Sequence, residues 1–352
     1  MEYIGFQSSI DQKGLLVTYE FNLAGKYTFR PEFFVPVRMY FTGFPSIETI
    51  NSPVYQNLLF HIGLIEMISY WKCACPTKVM IRPFKLTTDQ VNWWKNVYYQ
   101  GLGEFFYTNN IHTTSEKFMQ IHSEGEELHT FALNLDDTII VPIGGGKDSV
   151  VTLELLKKTA AVRPFILNPR GATLECARVS GFGNDGYIEV NRQLDAQLLR
   201  LNEQGFLNGH TPFSALLAFY SLLIAAVSGH RHIALSNESS ANEPTVAGTQ
   251  VNHQYSKSFS FESDFRDYVT SYISADFNYF SFLRPLNELQ IARLFSAQVK
   301  YYAAFKSCNA GSKTDEWCCN CPKCLFAFTI LSPFIPTIEL VHIFGKNLFE
   351  QP

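Results

Sequence analysis

The residues best able to do chemistry form one short run: Gly144, Gly145, Gly146, Lys147, Asp148 and Ser149. Glycines have no Cβ, so backbone N–H groups can approach an anion closely, and the helix predicted to follow adds partial positive charge at its start. Lys147 can neutralise phosphate oxygens, Ser149 can donate a hydrogen bond, and Asp148 can hold Mg²⁺ directly or through water. The run therefore predicts a phosphate-binding loop, in preference to a tight turn that binds no ligand.

The order of these residues excludes two common phosphate loops. A Walker A loop requires Lys followed directly by Ser or Thr, whereas Asp148 follows Lys147 here. The dinucleotide-binding fingerprint requires a third glycine at the position that Ser149 occupies. The loop must therefore belong to another class of phosphate-binding site.

A second group of reactive side chains lies near the C-terminus, with the spacing C-x9-C-x2-C-x2-C. Its members are Cys308, Cys318, Cys321 and Cys324. Four thiolates at this spacing can complete a tetrahedral structural Zn²⁺ site, and an iron–sulfur cluster is the alternative metal centre. Cys319 is an extra thiol and an alternative ligand. Buried free cysteines are the alternative without a metal.

The elements that must position these groups change in character near residue 138. Residues 1–137 combine β-rich and helical segments, which predicts an N-terminal α+β domain. From Thr138 short apolar runs alternate with helical segments, which predicts a doubly wound parallel α/β sheet. Its expected strands are TIIVPI, RPFILN, YIEV, HIALS and YFSFL. We therefore expect a catalytic domain at 138–335 and a C-terminal tail at 336–352.

Polar residues are expected at the edge of this sheet where ligands bind, beyond the carboxyl ends of the strands. Asn168 follows the strand RPFIL, which places it near an adenine or ribose, and a plain turn is the equal alternative. The polar segment SNESSANE follows the strand HIAL and is expected at the same edge.

Composition limits the class of protein. With 352 residues, 46% hydrophobic and 17% charged, the chain has a globular composition and is long enough for two domains or for one large domain with additions. Its net charge of -4 argues against a nucleic-acid partner. The start shows no signal-peptide pattern, and the apolar stretch from Phe213 to Val227 is short for a membrane span. We therefore expect a cytoplasmic protein without membrane contact.

The glycine loop resembles the SGGxDS loop of the PP-loop (N-type) ATP pyrophosphatases, which cleave ATP to AMP and pyrophosphate, usually through an adenylated substrate. Gly144 stands where that loop has its first Ser, so one hydroxyl donor is missing. Loop and cysteine spacing together resemble the 7-cyano-7-deazaguanine synthase family, which uses ATP to convert a carboxylate to a nitrile. Both resemblances imply ATP-dependent activation of a carboxylate.

A wider resemblance covers about Pro142 to Phe328. It rests on PIGGGKDSVVTLELL, LNGHTPFSALLAF, LSNESSANEPT, VNHQYSKSFSFE, FSFLRPLNELQIARLF and SCNAGSKTDEWCCNCPKCLFAF. Together these segments resemble the UDP-N-acetylmuramoyl-L-alanyl-L-glutamate epimerase family. The resemblance implies conversion of the terminal L-Glu of UDP-MurNAc-L-Ala-L-Glu to D-Glu in peptidoglycan precursor synthesis, with ATP and Mg²⁺. The alternatives are another PP-loop enzyme, which forms an amide or nitrile or modifies tRNA, and a nucleotide-binding regulator without chemistry.

Epimerisation through an adenylate requires groups that move a proton at the α-carbon. Adenylation removes the carboxylate charge, so a base can take the α-proton and a proton can return on the opposite face. The candidates in polar loops are His210, Glu238, Glu243, His253 and Lys257. His253 is the first choice because neutral His titrates near working pH, whereas Lys257 can instead bind a carboxylate or phosphate. For each candidate a structural or solvated role is the alternative. Cys176 can be a racemase-type thiol or a small buried residue, and Arg284 can bind phosphate or be structural.

Overall fold

The computed structural model describes residues 1–37, 44–183, 185–241, 254–308 and 310–350. Within these ranges the strands are β1 (Glu2–Ile10), β2 (Gly14–Leu23), β3 (Tyr27–Phe29), β4 (Glu32–Pro36), β5 (Lys78–Ile81), β6 (Gln120–Ser123), β7 (Asp136–Pro142), β8 (Val162–Leu167), β9 (Ile188–Gln193), β10 (His230–Leu235) and β11 (Asn278–Ser281). The helices are α1 (Ile47–Ile50), α2 (Pro53–Trp71), α3 (Thr88–Gly101), α4 (Gly103–Thr108), α5 (Lys147–Leu156), α6 (Gly171–Val179), α7 (Ala196–Glu203), α8 (Phe213–Ser228), α9 (Phe259–Tyr272), α10 (Glu288–Ser296), α11 (Pro322–Leu331) and α12 (Thr337–Phe344). Of the described helices, none has the length and apolar character needed to cross a bilayer.

These strands form one mixed sheet in the order β11-β10-β7-β8-β9-β4-β2-β1-β5-β6, with β3 paired to β2. The strands from β11 to β9 run parallel to one another. Strand β4 then pairs antiparallel with β9, so that Phe33 lies opposite Arg192 and Phe34 opposite Asn191. The expected α/β class is confirmed, and the two regions expected as separate domains share one hydrogen-bonded sheet.

The local signals of the second region are found where their residue types predict them. The five expected strands overlap β7, β8, β9, β10 and β11. Asn287 caps α10 by accepting the N–H of Gln290, whose side chain accepts the N–H of Asn287 in return. Helix α8 ends at Gly229 in the left-handed conformation, with φ 72°, which glycine adopts without steric cost.

Helices cover both faces of the parallel strands, which explains why β7 is apolar on both sides. Successive side chains of a strand point to opposite faces. Ile139 and Val141 therefore pack in one core cluster with Val150 of α5. Ile140 packs on the other face, in a cluster that contains Phe219 of α8. Each such fully buried side chain contributes about 1.5–3 kcal/mol to folding.

The core is also continuous across residue 137. One cluster joins Tyr3, Phe21 and Phe60 of the first region to Phe165 and Phe219 of the second. Shared hydrophobic burial of this kind makes the two regions dependent on each other for stability. The division into domains at residue 137 stays a prediction.

Candidate active site

The glycine loop connects the carboxyl end of β7 to the start of α5. Gly146 is the N-cap residue of α5, so the unpaired N–H groups of the first helical turn lie directly after the loop. Gly145 has φ +81°, and a Cβ there would lie 3.1 Å from the Cβ of Ala172. A Cβ on Gly144 would meet no atom within 4 Å. The backbone therefore requires glycine at 145, whereas residue 144 faces open space.

A cavity of about 600 Å³ opens at the carboxyl ends of the parallel strands. The loop contributes Gly144, Gly146, Asp148 and Ser149 to its wall. Its cationic side chains are Arg170, Lys257, Lys306 and Lys323. Among the described residues that line it, Asp148 is the acidic one. Such an excess of positive charge suits a ligand with several negative charges.

Lys147 is not among the described residues that line this cavity. Its side chain is buried, with 5% of its surface exposed, and its Nζ lies 2.5 Å from Asp148 Oδ1 and also contacts Glu288 Oε2. Burial alone would lower the pKa of Lys147, but the two carboxylates outweigh burial and raise that pKa above its ordinary value. Lys147 is thus a fixed cation that holds Asp148 and Glu288 together. Its direct contact with phosphate stays a prediction.

The four cysteines of the predicted metal site converge. Their Sγ atoms all lie within 4.8 Å of one another. The separations are 3.9 Å for Cys308–Cys321, 3.8 Å for Cys318–Cys324 and 3.5 Å for Cys321–Cys324. Four sulfurs at about 2.3 Å from a tetrahedral ion are about 3.8 Å apart, so the cluster fits a metal ion. The N–H of Gly311 donates to Cys308 Sγ at 3.1 Å, which stabilises a thiolate there.

The extra thiol, Cys319, lies apart from this cluster. Its Sγ donates to the carbonyl of Phe344 at 3.0 Å, after α12 has returned the chain to the cysteine segment. It is not in the group of four converging sulfurs. The structure therefore favours the ligand set without Cys319.

The cysteine segment also contacts the glycine loop directly. The N–H of Lys306 donates to the carbonyl of Gly145 at 2.8 Å, two residues before Cys308. Further along the segment, Asp315 accepts the N–H of Gly171 at 2.9 Å at the start of α6. A negative charge is favourable at a helix start, so this contact fixes the segment against the sheet. A metal bound by the cysteines would stabilise the position of Lys306 in the cavity wall.

Comparisons with known proteins bear on what this site does. A family model described as MurL N-terminal domain matches residues 1–282, and one described as MurL C-terminal domain matches residues 304–352. A protein of Xanthomonas oryzae pv. oryzae (strain MAFF 311018), named UDP-N-acetyl-alpha-D-muramoyl-L-alanyl-L-glutamate epimerase, is 36% identical over 311 residues, which cover 86% of this chain and 68% of that relative. The chain belongs to this epimerase family. A relative of the same name from Salinispora tropica is 33% identical over 316 residues, covering 88% of this chain and 68% of its own. The resemblance inferred from the sequence is confirmed.

In this member of the epimerase family, Asn168 forms a turn, and its place near an adenine or ribose stays a prediction. It follows β8 with φ 55°, and its Oδ1 accepts the N–H of Arg192 at 2.6 Å. It also lines the cavity. Asn168 therefore shapes the turn that forms this part of the cavity wall.

Lys257 is the described proton-transfer candidate that reaches the cavity. Its side chain is half-buried, and burial together with repulsion from Lys323 lowers its pKa. Arg284 donates to the backbone carbonyls of Lys257 at 2.7 Å and Glu238 at 3.0 Å, and to the carboxylate of Glu262 at 3.1 Å. Arg284 thus has the structural role, since it ties together two segments that border the site.

The other candidates lie elsewhere. Glu238 is buried, and its carboxylate accepts the hydroxyl of Ser240 at 2.8 Å. His210 is half-buried and is not among the described residues that line the cavity. Cys176 lies behind the loop, where burial raises the pKa of its thiol to about 12. Glu243 and His253 lie outside the described residues.

Sequence reasoning missed four charged residues of the site: Arg170, Glu288, Lys306 and Lys323. A local signal existed for three of them. Lys306 lies two residues before Cys308, Lys323 lies between Cys321 and Cys324, and Arg170 follows Asn168 by two residues. Charged residues next to a predicted ligand-binding turn were therefore the signal to follow.

Proposed function

We propose that this protein is an ATP-dependent epimerase that converts the terminal L-Glu of UDP-MurNAc-L-Ala-L-Glu to D-Glu and releases AMP. The observation that carries the proposal is the cation-lined cavity built on the glycine loop, in a chain whose relatives bear that epimerase name. The reaction serves peptidoglycan precursor synthesis in the cytoplasm, where ATP is available.

We assign the parallel part of the sheet to the PP-loop, doubly wound type. In the spatial order β9-β8-β7-β10-β11, the chain adds β8 and β9 on one side of β7 and then β10 and β11 on the other side. The order of strand addition therefore reverses between β7 and β10. Ligands of doubly wound sheets bind beyond the carboxyl ends of the strands at this reversal point. The glycine loop follows β7, which supports its assignment as the pyrophosphate-binding loop.

We propose that the triphosphate of ATP lies along this loop. The N–H groups at the start of α5 face its phosphates, and Arg170, Lys306 and Lys323 supply charge-assisted hydrogen bonds. Asp148 holds Mg²⁺, because it is the acidic side chain among the described residues of the wall. Asn168 lies on the side of the cavity expected for adenine or ribose.

The proposed chemistry has three stages. A carboxylate oxygen of the terminal Glu residue attacks the α-phosphorus of ATP, and pyrophosphate leaves. The resulting acyl-adenylate carries no carboxylate charge, so a base can remove the α-proton while electrons move onto the carbonyl. A proton is then delivered to the opposite face, and water cleaves the mixed anhydride to give the epimerised carboxylate and AMP.

We propose Lys257 as one proton-transfer group. The support is its place in the cavity wall and its lowered pKa, because a depressed pKa makes the neutral amine, the basic form, more abundant near neutral pH. His253 remains the prediction for a second group. We also propose that Cys308, Cys318, Cys321 and Cys324 bind a structural Zn²⁺, since their four thiols leave no coordination position for a substrate.

The first experiment tests whether the loop activates a carboxylate. Purified wild type, Asp148→Asn and the control Asp137→Asn, whose side chain is 87% exposed, are incubated with ATP, Mg²⁺ and UDP-MurNAc-L-Ala-L-Glu. We expect AMP, and D-Glu after acid hydrolysis, from wild type and control only. AMP that forms only with ammonia or tRNA would support a different PP-loop enzyme, and ATP binding without AMP would support a regulator.

The second experiment separates adenylation from proton transfer. In D₂O, Lys257→Met should still form AMP but should lose exchange of the α-hydrogen for deuterium. Lys323→Met should instead raise the KM for ATP, since we place Lys323 beside the phosphates. Normal deuterium incorporation by Lys257→Met would remove Lys257 from the proton-transfer step.

A further inference from the structure

A second cavity lies beside the first, between α2, α7 and the segment that leads into α8. Its volume is about 220 Å³. Its lining includes Lys72, Arg192, Asn202 and Thr211. None of these residues belongs to the glycine loop or the cysteine cluster, so this cavity is distinct from the one described above.

Within the described part of the chain, Lys72 is a buried cation without an acidic partner. Its side chain is 6% exposed, and its Nζ contacts the backbone carbonyl of Gly209 and lies 5.8 Å from the ring centre of Phe105. Among the described residues no carboxylate forms an ion pair with it. A buried ammonium that contacts only a carbonyl and a ring is poorly compensated, since burying an unpaired charge is costly.

The neighbouring Arg192 does not correct this imbalance. Its Nε and Nη2 donate to the two carboxylate oxygens of Glu66 at 2.5 and 2.6 Å, and Glu66 also accepts the hydroxyl of Tyr220 at 2.9 Å. The charge of Glu66 is thus already matched by Arg192. Around this cavity Lys72, Arg192 and Glu66 sum to one positive charge.

The lining also contains an acceptor that lacks a donor. The Oδ1 of Asn202 is buried and has no hydrogen-bond partner within the described part of the chain. Buried polar atoms are nearly always paired, so an atom of this kind in a cavity wall points to a missing partner. A ligand that offers an N–H or O–H group in this cavity would pair with Asn202 Oδ1.

We infer that this second cavity binds a carboxylate or phosphate group, with Lys72 as its counter-ion, on a molecule that also presents a hydrogen-bond donor to Asn202. The ligand would neutralise the surplus charge and satisfy the unpaired oxygen at the same time. No other described feature of this region provides both.

The position of the cavity suggests where the anion comes from. The N–H of Arg192, which lines the second cavity, donates to Asn168 Oδ1, which lines the first. Thr211 of the second cavity is two residues from Phe213 of the first. An acidic group of the nucleotide-linked dipeptide is therefore one source, which rests on the proposed function, and a separate small anion is the other.

The test uses the full chain as wild type, Lys72→Met and the control Lys85→Met. Lys85 forms an exposed ion pair with Glu127, so Lys85→Met removes a lysine side chain without changing the cavity. Isothermal titration calorimetry measures the affinities for ATP with Mg²⁺, for UDP-MurNAc-L-Ala-L-Glu and for inorganic phosphate. Wild-type crystals soaked in sodium phosphate show directly whether electron density appears beside Lys72, and this test does not depend on the folding of a variant.

We expect Lys72→Met to weaken binding of the dipeptide substrate about 30-fold or more, because one partner of a buried charge pair is lost, and to leave ATP affinity unchanged. Loss of phosphate affinity alone would assign the cavity to a separate anion and still support the inference. Unchanged affinity for both ligands in folded Lys72→Met would overturn it, as would wild-type protein that binds both ligands but shows no density beside Lys72 in crystals soaked with either. Loss of AMP formation in Asp148→Asn tests the proposed function separately.

Discussion

Replacing Glu288 by Gln should destabilise the protein and impair ATP use together, although Glu288 does not line the cavity. In the wild type, buried Lys147 contacts two carboxylates, those of Asp148 and Glu288. The variant leaves Asp148 as the single counter-ion of Lys147. Asp148 would then be held more strongly by Lys147 and would be less available to Mg²⁺.

The magnitude follows from the burial of these groups. Removing one partner of a buried ion pair costs about 3–5 kcal/mol when the other charge is left unpaired. Here Asp148 stays 2.5 Å from Lys147, and the Glu288 side chain is 25% exposed, so the interaction is only partly lost. We therefore expect a loss of about 2 kcal/mol, or about 30-fold in the unfolding equilibrium.

Urea unfolding measures the first effect, and AMP formation at several Mg²⁺ concentrations measures the second. The control is Glu175→Gln, which removes an exposed ion pair with Arg178 and should change stability by less than about 0.5 kcal/mol. Added Mg²⁺ should partly restore the activity of Glu288→Gln. A variant as stable as the wild type, with an unchanged Mg²⁺ requirement, would refute the idea that Glu288 and Asp148 share Lys147.

Three further predictions concern the loop, the metal site and the core. Because residue 145 has a positive φ, Gly145→Ala should lower the free energy of unfolding by about 1–2 kcal/mol and lose most of its ATP affinity. The control Gly144→Ala should fold normally, and equal stability of the two variants in urea would contradict this. Cys318→Ser should lower the bound zinc measured by elemental analysis and weaken ATP binding through Lys306, and full ATP affinity in a metal-free protein would show that the two sites are independent. Glu66→Gln should lower the free energy of unfolding by about 3–5 kcal/mol, because Arg192 stays buried without its carboxylate partner. A loss below about 1 kcal/mol would show that this ion pair contributes little to stability.

The sequence predicted the features that depend on neighbouring residues. The glycine loop, its strand and its helix occupy one short stretch, and the cysteine ligands lie within 308–324, so spacing alone predicted both. The fold class followed from the alternation of short apolar runs with helical segments. In each case the local sequence and the final environment favour the same structure.

The features that sequence reasoning missed depend on pairs that are distant in the chain. Glu288 reaches Lys147 across 141 positions, and no local pattern marks that contact. The ion pair of Lys147 with Glu288 likewise depends on a residue far from it in the sequence. The antiparallel pairing of β4 with β9 joins residues that are far apart in the sequence, so no local pattern predicted one continuous sheet.

That pairing has a consequence for the molecule as a whole. A fragment that starts at residue 138 would expose the backbone N–H and C=O groups of β9 that now bond to β4, together with the aromatic surface that covers Phe165 and Phe219. Unpaired strand edges beside apolar surface promote aggregation. This fragment should therefore be insoluble when expressed alone, and coexpression with residues 1–137 should restore its solubility by strand complementation.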